Sequence, residues 1–141
     1  MRQKIALIGF GTVGQGLCEI LLQKEKELTE NFGYKYKIVA VCDPRFGTAY
    51  EPDGLDIKQL LEDVDKNNKF TQNICEWDAV ETIRNANADV VCELAFTDLK
   101  TGEPAITHCK EAFSSGKHVV TSNKGPAALA YREMHALAGQ H

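Results

Sequence analysis

Three glycines placed directly behind a short apolar run constrain this chain more than any other feature. Ile5-Ala6-Leu7-Ile8 leads into Gly9-Phe10-Gly11-Thr12-Val13-Gly14, and Val13, Leu17, Ile20 and Leu21 then recur at helical spacing. An apolar strand feeding a G-x-G-x-x-G turn that opens an amphipathic helix is the context in which such a turn holds a dinucleotide. Gly9 is expected to make the tight turn. Gly11 lets backbone N–H groups approach a diphosphate with no Cβ in the way, and Gly14 lets the helix pack close to the strand. The helix N-terminus adds partial positive charge for the phosphates. Gly9, Phe10, Gly11, Thr12, Val13 and Gly14 are therefore expected to line a cofactor site.

The remainder of the chain alternates in the same way. Ile38-Val39-Ala40-Val41-Cys42, Val90-Val91-Cys92-Glu93-Leu94-Ala95-Phe96 and His118-Val119-Val120-Thr121 are further apolar runs, and each is followed or flanked by helical spacing. Ile57, Leu60, Leu61 and Val64 mark one short helix; Trp77, Val80 and Ile83 mark another around Asp78 to Arg84. Ile106, Cys109, Ala112 and Phe113 share a face behind Pro104, and a last helix opens at Pro126 with Leu129, Ala130, Met134 and Leu137. Gln23 to Lys37 reads as a solvated helix end and loop, Arg45 to Gly54 as a loop, and Lys66 to Asn73 as weakly structured. Runs that are apolar at consecutive positions suit strands buried on both faces, with helices as cover. The expected fold is α/β: a doubly wound parallel sheet, a Rossmann-type dinucleotide-binding domain over residues 1–141.

Composition narrows the function. With 16 basic and 20 acidic residues the formal charge is −4, against the basic footprint of a nucleic-acid binder. No apolar run reaches the ~18 residues of a membrane helix, and Met1-Arg2-Gln3-Lys4 leads into too short an apolar stretch for a signal peptide. Cys18, Cys42, Cys75, Cys92 and Cys109 are odd in number and form no C-x-x-C, so neither a disulfide framework nor a metal site is expected. All but Cys75 lie in apolar runs and read as core. In the adjacent pair His108-Cys109, the helical pattern points Cys109 inward and His108 elsewhere. The expectation is a cytoplasmic protein without membrane or nucleic-acid partners.

Further site residues sit where strands end. Asp43 closes the second run, 29 positions beyond Gly14, the usual interval of about 20 being stretched by the charged segment before it. Its carboxylate would accept from the adenosine ribose hydroxyls and repel a 2′-phosphate, which favours NAD; Arg45, read otherwise as a solvated loop residue, keeps NADP open. Ala95, Phe96 and Thr97 follow the third run, where small or backbone groups could lie along the nicotinamide ribose. Glu93, unusual inside an apolar strand, is expected to pair with backbone or with a neighbouring helix. Ser122, Asn123 and Lys124 follow the last run, and a lysine there can polarise a carbonyl or relay a proton, or can be an ordinary solvated loop residue.

With these residues in place, the turn from Gly9 to Gly14, the stretch Leu99-Lys100-Thr101-Gly102-Glu103-Pro104 and above all Gly116-Lys117-His118-Val119-Val120-Thr121-Ser122-Asn123-Lys124-Gly125-Pro126 resemble homoserine dehydrogenase. Ala49-Tyr50-Glu51-Pro52-Asp53-Gly54-Leu55-Asp56 is similar to one subgroup of that family. The resemblance implies interconversion of aspartate β-semialdehyde and homoserine with NAD(P)H, on the path to threonine, methionine and isoleucine. It also implies that Lys124 is an active-site lysine near nicotinamide and substrate, and that the full enzyme is a homodimer. The family usually carries alanine where Ser122 stands. Its members are considerably longer: a substrate domain with a second catalytic lysine, the dimer interface and a metal site all follow the cofactor domain. These 141 residues are thus expected to be a cofactor-binding fragment without turnover of their own. Another amino-acid-type NAD(P) dehydrogenase or reductase, and a non-catalytic dinucleotide-sensing module, are the alternative readings.

Overall fold

The computed structural model describes residues 2–141; Met1, at the head of the start weighed against a signal peptide, lies outside them. In chain order the elements are β1 (Arg2–Ile8), α1 (Thr12–Phe32), β2 (Lys35–Asp43), β3 (Gly47–Tyr50), α2 (Ile57–Glu62), β4 (Ile74–Cys75), α3 (Ala79–Asn85), β5 (Val90–Glu93), α4 (Ala105–Ser114), β6 (His118–Thr121), α5 (Gly125–Leu129) and α6 (Tyr131–Gln140). A single π-helical turn, Asp63–Asn67, prolongs α2. The sheet runs β4-β3-β2-β1-β5-β6. Four consecutive members, β2, β1, β5 and β6, are parallel, with Ile5 opposite both Ile38 and Val90. Strand order reverses at β1: the chain first builds outward to β2, then crosses to β5 on the other side.

Consecutive apolar residues are explained by two separate cores. Ile5 and Leu7 of β1 join Phe10, Cys18, Leu21 and Leu60 on the face covered by α1 and α2. Ala6 and Ile8 join Ile83, Val91 and Ala112 on the face covered by α3 and α4. The doubly wound expectation holds. Cys18, Cys42, Cys92 and Cys109 are buried, and all five thiols are free. Burial pushes the Cys18 and Cys109 thiols up to about 12, so they act as small apolar residues.

The structure departs from the sequence expectations in four places. Arg45 to Gly54 is not all loop. Phe46 N–H donates to the Asp43 carbonyl at 3.1 Å, and Gly47 adopts φ +96°. The chain therefore reverses sharply and returns as β3, antiparallel to β2, with β4 antiparallel beyond it. The sheet is thus mixed at one edge. The segment after Gln23 is the expected helix end, running to Phe32, where Gly33 in the left-handed conformation caps Leu28 and Thr29, but its last residues, from Lys35, begin β2 instead of extending the loop. The buried stripe of α1 is Gly14, Cys18 and Leu21 rather than one through Val13 and Ile20, which are about half exposed. A helix held against the turn by a residue without a side chain rotates its smallest face inward. Finally, the last helix breaks at Ala130 (φ −139°) into α5 and α6, which lays Met134 against Ile106 and Cys109.

Candidate functional site

The glycine turn is held from three directions. Gly9 N–H donates to the Cys42 carbonyl at 2.8 Å. Phe10 N–H donates to Asp43 Oδ2 at 2.8 Å, and Gln15 Nε2 donates to the Phe10 carbonyl at 2.9 Å. Phe10 itself is fully buried, edge-on to Phe70 at 5.4 Å between centroids; it shapes the turn from beneath. Gly9 adopts φ +100°, and a Cβ there would stand 2.6 Å from the Leu94 and Ala95 backbone. A Cβ on Gly14 would stand 2.7 Å from the Gly9 carbonyl oxygen. Gly11 differs: a Cβ there would meet only Arg45 Nη2, at 3.1 Å. Gly9 and Gly14 are glycines for the protein's own backbone, whereas Gly11 faces a space that a side chain would fill. Gly11 caps α1 without a side-chain hydrogen bond, no acidic residue stands in the first turn, and Thr12 and Val13 are exposed there. The first N–H groups of a 21-residue helix therefore remain available to an anion.

Beside the turn, Asp43 is 4% exposed and makes four hydrogen bonds. Oδ2 accepts from Phe10 N–H and from Arg45 Nη2 at 3.0 Å; Oδ1 accepts from Arg45 N–H at 2.9 Å and Arg45 Nε at 3.1 Å. Burial pushes this carboxyl up, but hydrogen bonds from the Arg45 side chain and from the Phe10 and Arg45 amides, with the guanidinium charge, outweigh it and hold it below the usual carboxylate range. Arg45 is therefore no mere solvated loop residue. It is paired on Asp43 and stands 4.9 Å from the Phe46 ring centroid, with 62% of its side chain exposed at the rim.

A cavity of about 850 Å³ opens between the carboxyl ends of β1, β2 and β5, where strand order reverses. Such switch points are where open α/β sheets take ligands. Of the residues singled out from sequence, Gly9, Gly11, Asp43, Arg45, Ala95 and Phe96 line it, whereas Phe10, Thr12, Val13, Gly14, Thr97, Ser122, Asn123 and Lys124 do not. Also lining it are Thr48, Trp77, Asp78 and Ala79 at the β2 side and Pro104 and His108 at the β5 side, none of which the sequence reading singled out as site residues. The Trp77 ring lies tilted against Tyr50, 4.9 Å between centroids, and its carbonyl accepts from Thr48 Oγ1 at 2.7 Å, so the antiparallel β3 brings it there.

The last group lies at the ends of β5 and β6. Thr97 is buried, while Phe96, Ser122 and Lys124 are exposed. Lys124 caps α5 and is not among the cavity-lining residues. Asn123 turns inward: its amide donates to Glu93 Oε1 and to the Ala95 carbonyl at 2.9 Å. Thr121 Oγ1 donates to the Glu93 carbonyl at 3.0 Å and Ser122 N–H to the same carbonyl at 3.3 Å. Glu93, completely buried, thus ties both strand ends together and also meets His108 Nδ1 of α4 at 2.6 Å. The expectation that Glu93 pairs with a neighbouring helix holds. The expectation that His108 points away from the interior does not, because the buried carboxylate supplies a partner that apolar periodicity cannot register.

A family model described as "Homoserine dehydrogenase, NAD binding domain" matches residues 9–141. The homoserine dehydrogenase of Methanocaldococcus jannaschii is 39% identical over 140 residues, covering 97% of this chain and 41% of the relative. An NAD(+)-dependent homoserine dehydrogenase of Pseudomonas canavaninivorans is 35% identical, with 96% of this chain and 39% of the relative covered. Among solved structures, a putative homoserine dehydrogenase of Archaeoglobus fulgidus superposes with a TM-score of 0.82 at 31% identity, covering 98% of this chain and 39% of that one. A hyperthermophilic archaeal homoserine dehydrogenase in complex with NADPH gives a TM-score of 0.82 at 26% identity, covering 99% and 41%. The chain therefore spans about two fifths of the length of these relatives. By the extent of the family match, and with a fold and a glycine turn that agree with it, the chain belongs to the family of homoserine dehydrogenase NAD-binding domains.

Proposed function

We propose that these residues are the coenzyme-binding part of an NAD(P)-dependent homoserine dehydrogenase that interconverts aspartate β-semialdehyde and homoserine in the cytoplasm, for synthesis of threonine, methionine and isoleucine. The observation that carries this reading is the open face of Gly11 at the mouth of a cavity set on the strand-order reversal. The bare turn and the first N–H groups of α1 would hold the diphosphate, Asp43 and Arg45 the adenosine ribose, and Ala95 to Thr97 the nicotinamide half. When bound, the nicotinamide supplies or accepts the hydride. Lys124, at the end of β6, would hold a proton at the oxygen of the semialdehyde carbonyl, with Asn123 fixing the turn that presents it. The residues that close over the substrate and pair two subunits would come from sequence beyond these 141.

The choice of coenzyme turns on Arg45. All four lone-pair positions of the Asp43 carboxylate are taken, so ribose hydroxyls can bond to it only where Arg45 withdraws. A 2′-phosphate would draw the guanidinium outward, freeing the two positions held by Arg45 Nε and Nη2 while the Phe10 and Arg45 amides keep the other two on the carboxylate. This favours NADPH over the NAD preference that Asp43 alone suggests. The test is titration of the chain with NADPH and NADH, followed by nicotinamide fluorescence, in wild type and Arg45→Ala. NADPH affinity should fall about tenfold in the variant, the order of one charge-assisted contact, with NADH affinity equal or higher. Equal losses for both coenzymes would refute the role of Arg45. Absence of binding by either would refute the site, and homoserine oxidation by the 141 residues alone would refute the assignment as a coenzyme-binding part.

A further inference from the structure

Among the described residues, His108 is the one polar side chain of the cavity wall on the β5 side, and it is 6% exposed. Its Nδ1 is engaged by Glu93 Oε2 at 2.6 Å. Its Nε2 has no hydrogen-bond partner among the described residues, yet no buried side-chain nitrogen or oxygen among them lacks one. Nε2 is therefore not sealed inside the protein; it reaches the cavity that the residue lines. A ring fixed by a carboxylate on one nitrogen presents the other in a set direction. Glu93 is itself immobilised, because its second oxygen accepts from the Asn123 amide. Resting on the coenzyme reading above, the position of this nitrogen has a specific meaning. Asp43 and Arg45 stand on the β2 side of the glycine turn, and His108 stands on the opposite, β5, side. A dinucleotide crossing the reversal point with its adenosine at Asp43 places its second ribose there.

We propose that His108, oriented by Glu93, binds a hydroxyl of the second ribose, on the nicotinamide side of the diphosphate. A hydroxyl suits the site because it can donate to a neutral Nε2 or accept from a protonated one, whereas a phosphate can only accept. His108 is the binding residue and Glu93 acts through it as a positioning residue.

The experiment compares ADP with ADP-ribose by calorimetric titration of the 141-residue chain. The two probes share adenosine and diphosphate and differ by the second ribose. His108→Asn places an amide nitrogen near the present Nδ1, keeping the bond to Glu93 while removing the cavity-facing nitrogen; His108→Gln restores a polar atom near Nε2. Circular dichroism checks that each variant is folded. Wild type should bind ADP-ribose more tightly than ADP. His108→Asn should lose about five- to tenfold in ADP-ribose affinity, the range of one hydrogen bond, with ADP unchanged, and His108→Gln should recover part of it. Glu93→Gln should weaken ADP-ribose selectively, and its effect should not add to that of His108→Asn. Unchanged ADP-ribose affinity in His108→Asn, or equal losses for ADP and ADP-ribose, would overturn the proposal; the second result would point to the diphosphate or to general damage. Wild-type chain that binds neither probe would instead overturn the coenzyme reading on which it rests.

Discussion

Alanine substituted in turn at four glycines separates those required by the backbone from the one proposed to face a ligand. At Gly9 an alanine must adopt φ +100°, which costs a side-chain-bearing residue about 1–2 kcal/mol. Its Cβ would also lie 2.6 Å from the Leu94 carbonyl carbon and the Ala95 nitrogen, and forcing β5 away from β1 adds about 1–3 kcal/mol. The expected loss is about 2–5 kcal/mol, a large part of the stability of a domain this size. At Gly14 the backbone is helical and the clash is with one carbonyl oxygen at 2.7 Å. About 1–3 kcal/mol of strain is partly offset by the ~1 kcal/mol helix preference of alanine over glycine. At Gly11 the one neighbour among the described residues is Nη2 at the far end of the Arg45 side chain, 3.1 Å away, which can shift by a few tenths of an ångström, so the loss should stay below about 1 kcal/mol. Gly16, in the same helix, has nothing within 4 Å of its Cβ position, and alanine there should stabilise by about 0.5–1 kcal/mol. Urea unfolding followed by Trp77 fluorescence and circular dichroism gives the four values. Gly9→Ala costing under about 1 kcal/mol, or Gly16→Ala costing more than Gly14→Ala, would refute the account of why each glycine is present.

Asp63 and Lys117 carry the remaining predictions. Asp63 is buried with no cationic partner among the described residues and accepts from Gln59 Nε2, Thr71 N–H and Thr71 Oγ1, each at 2.8 Å, and from Asn67 Nδ2 at 3.3 Å. Burial pushes its carboxyl up, but hydrogen bonds from Gln59, Thr71 and Asn67 bring it below the usual range. A folded pKa below the unfolded one means stability that is full above about pH 5 and is lost as pH falls through the folded value. Acid unfolding should therefore shift in Asp63→Asn, with a loss of about 1–3 kcal/mol at pH 7 and a shallower decline below pH 5; an unchanged acid profile would contradict this. Lys117 donates to the carbonyls of Ile83 and, at 3.3 Å, Arg84, at the C-terminal end of α3. Burial pushes its amine down. Lys117→Met removes the donor while keeping the stem, and thermal melts should show a loss of about 1–2 kcal/mol; a neutral change would mean that water serves those carbonyls equally well.

Different parts of the molecule were legible in the sequence to different degrees, for physical reasons. The β1 run, the glycine spacing and the helix behind it are local, since backbone conformation and close approach depend on residues within a few positions of one another. The parallel strands were visible because burial on both faces leaves consecutive apolar residues. β3 was hidden because four residues, Gly47–Tyr50, are too few to display a pattern, and their pairing depends on the reversal at Phe46 and Gly47. The face of α1 was misjudged at Val13 and Ile20 because hydrophobic spacing cannot anticipate that Gly14 must press on Gly9. His108 was hidden because its orientation is set by Glu93, fifteen residues away, and Trp77 because its route to the cavity runs through the antiparallel edge. Asp43 stood out by its position at a strand end, but its pairing with Arg45, on which the proposed coenzyme choice turns, became visible only in three dimensions.

The central claim is that a bare backbone at Gly11 receives the diphosphate of a nicotinamide coenzyme. Gly11→Val tests it most directly, because the branched side chain fills the space in front of the α1 N-terminus and meets only the tip of Arg45 on the protein side. Fluorescence titration with NADPH, on samples whose urea midpoints lie close to wild type, should show affinity falling by about a hundredfold, the equivalent of roughly 2.7 kcal/mol. A folded Gly11→Val protein that binds NADPH as wild type does would contradict the account.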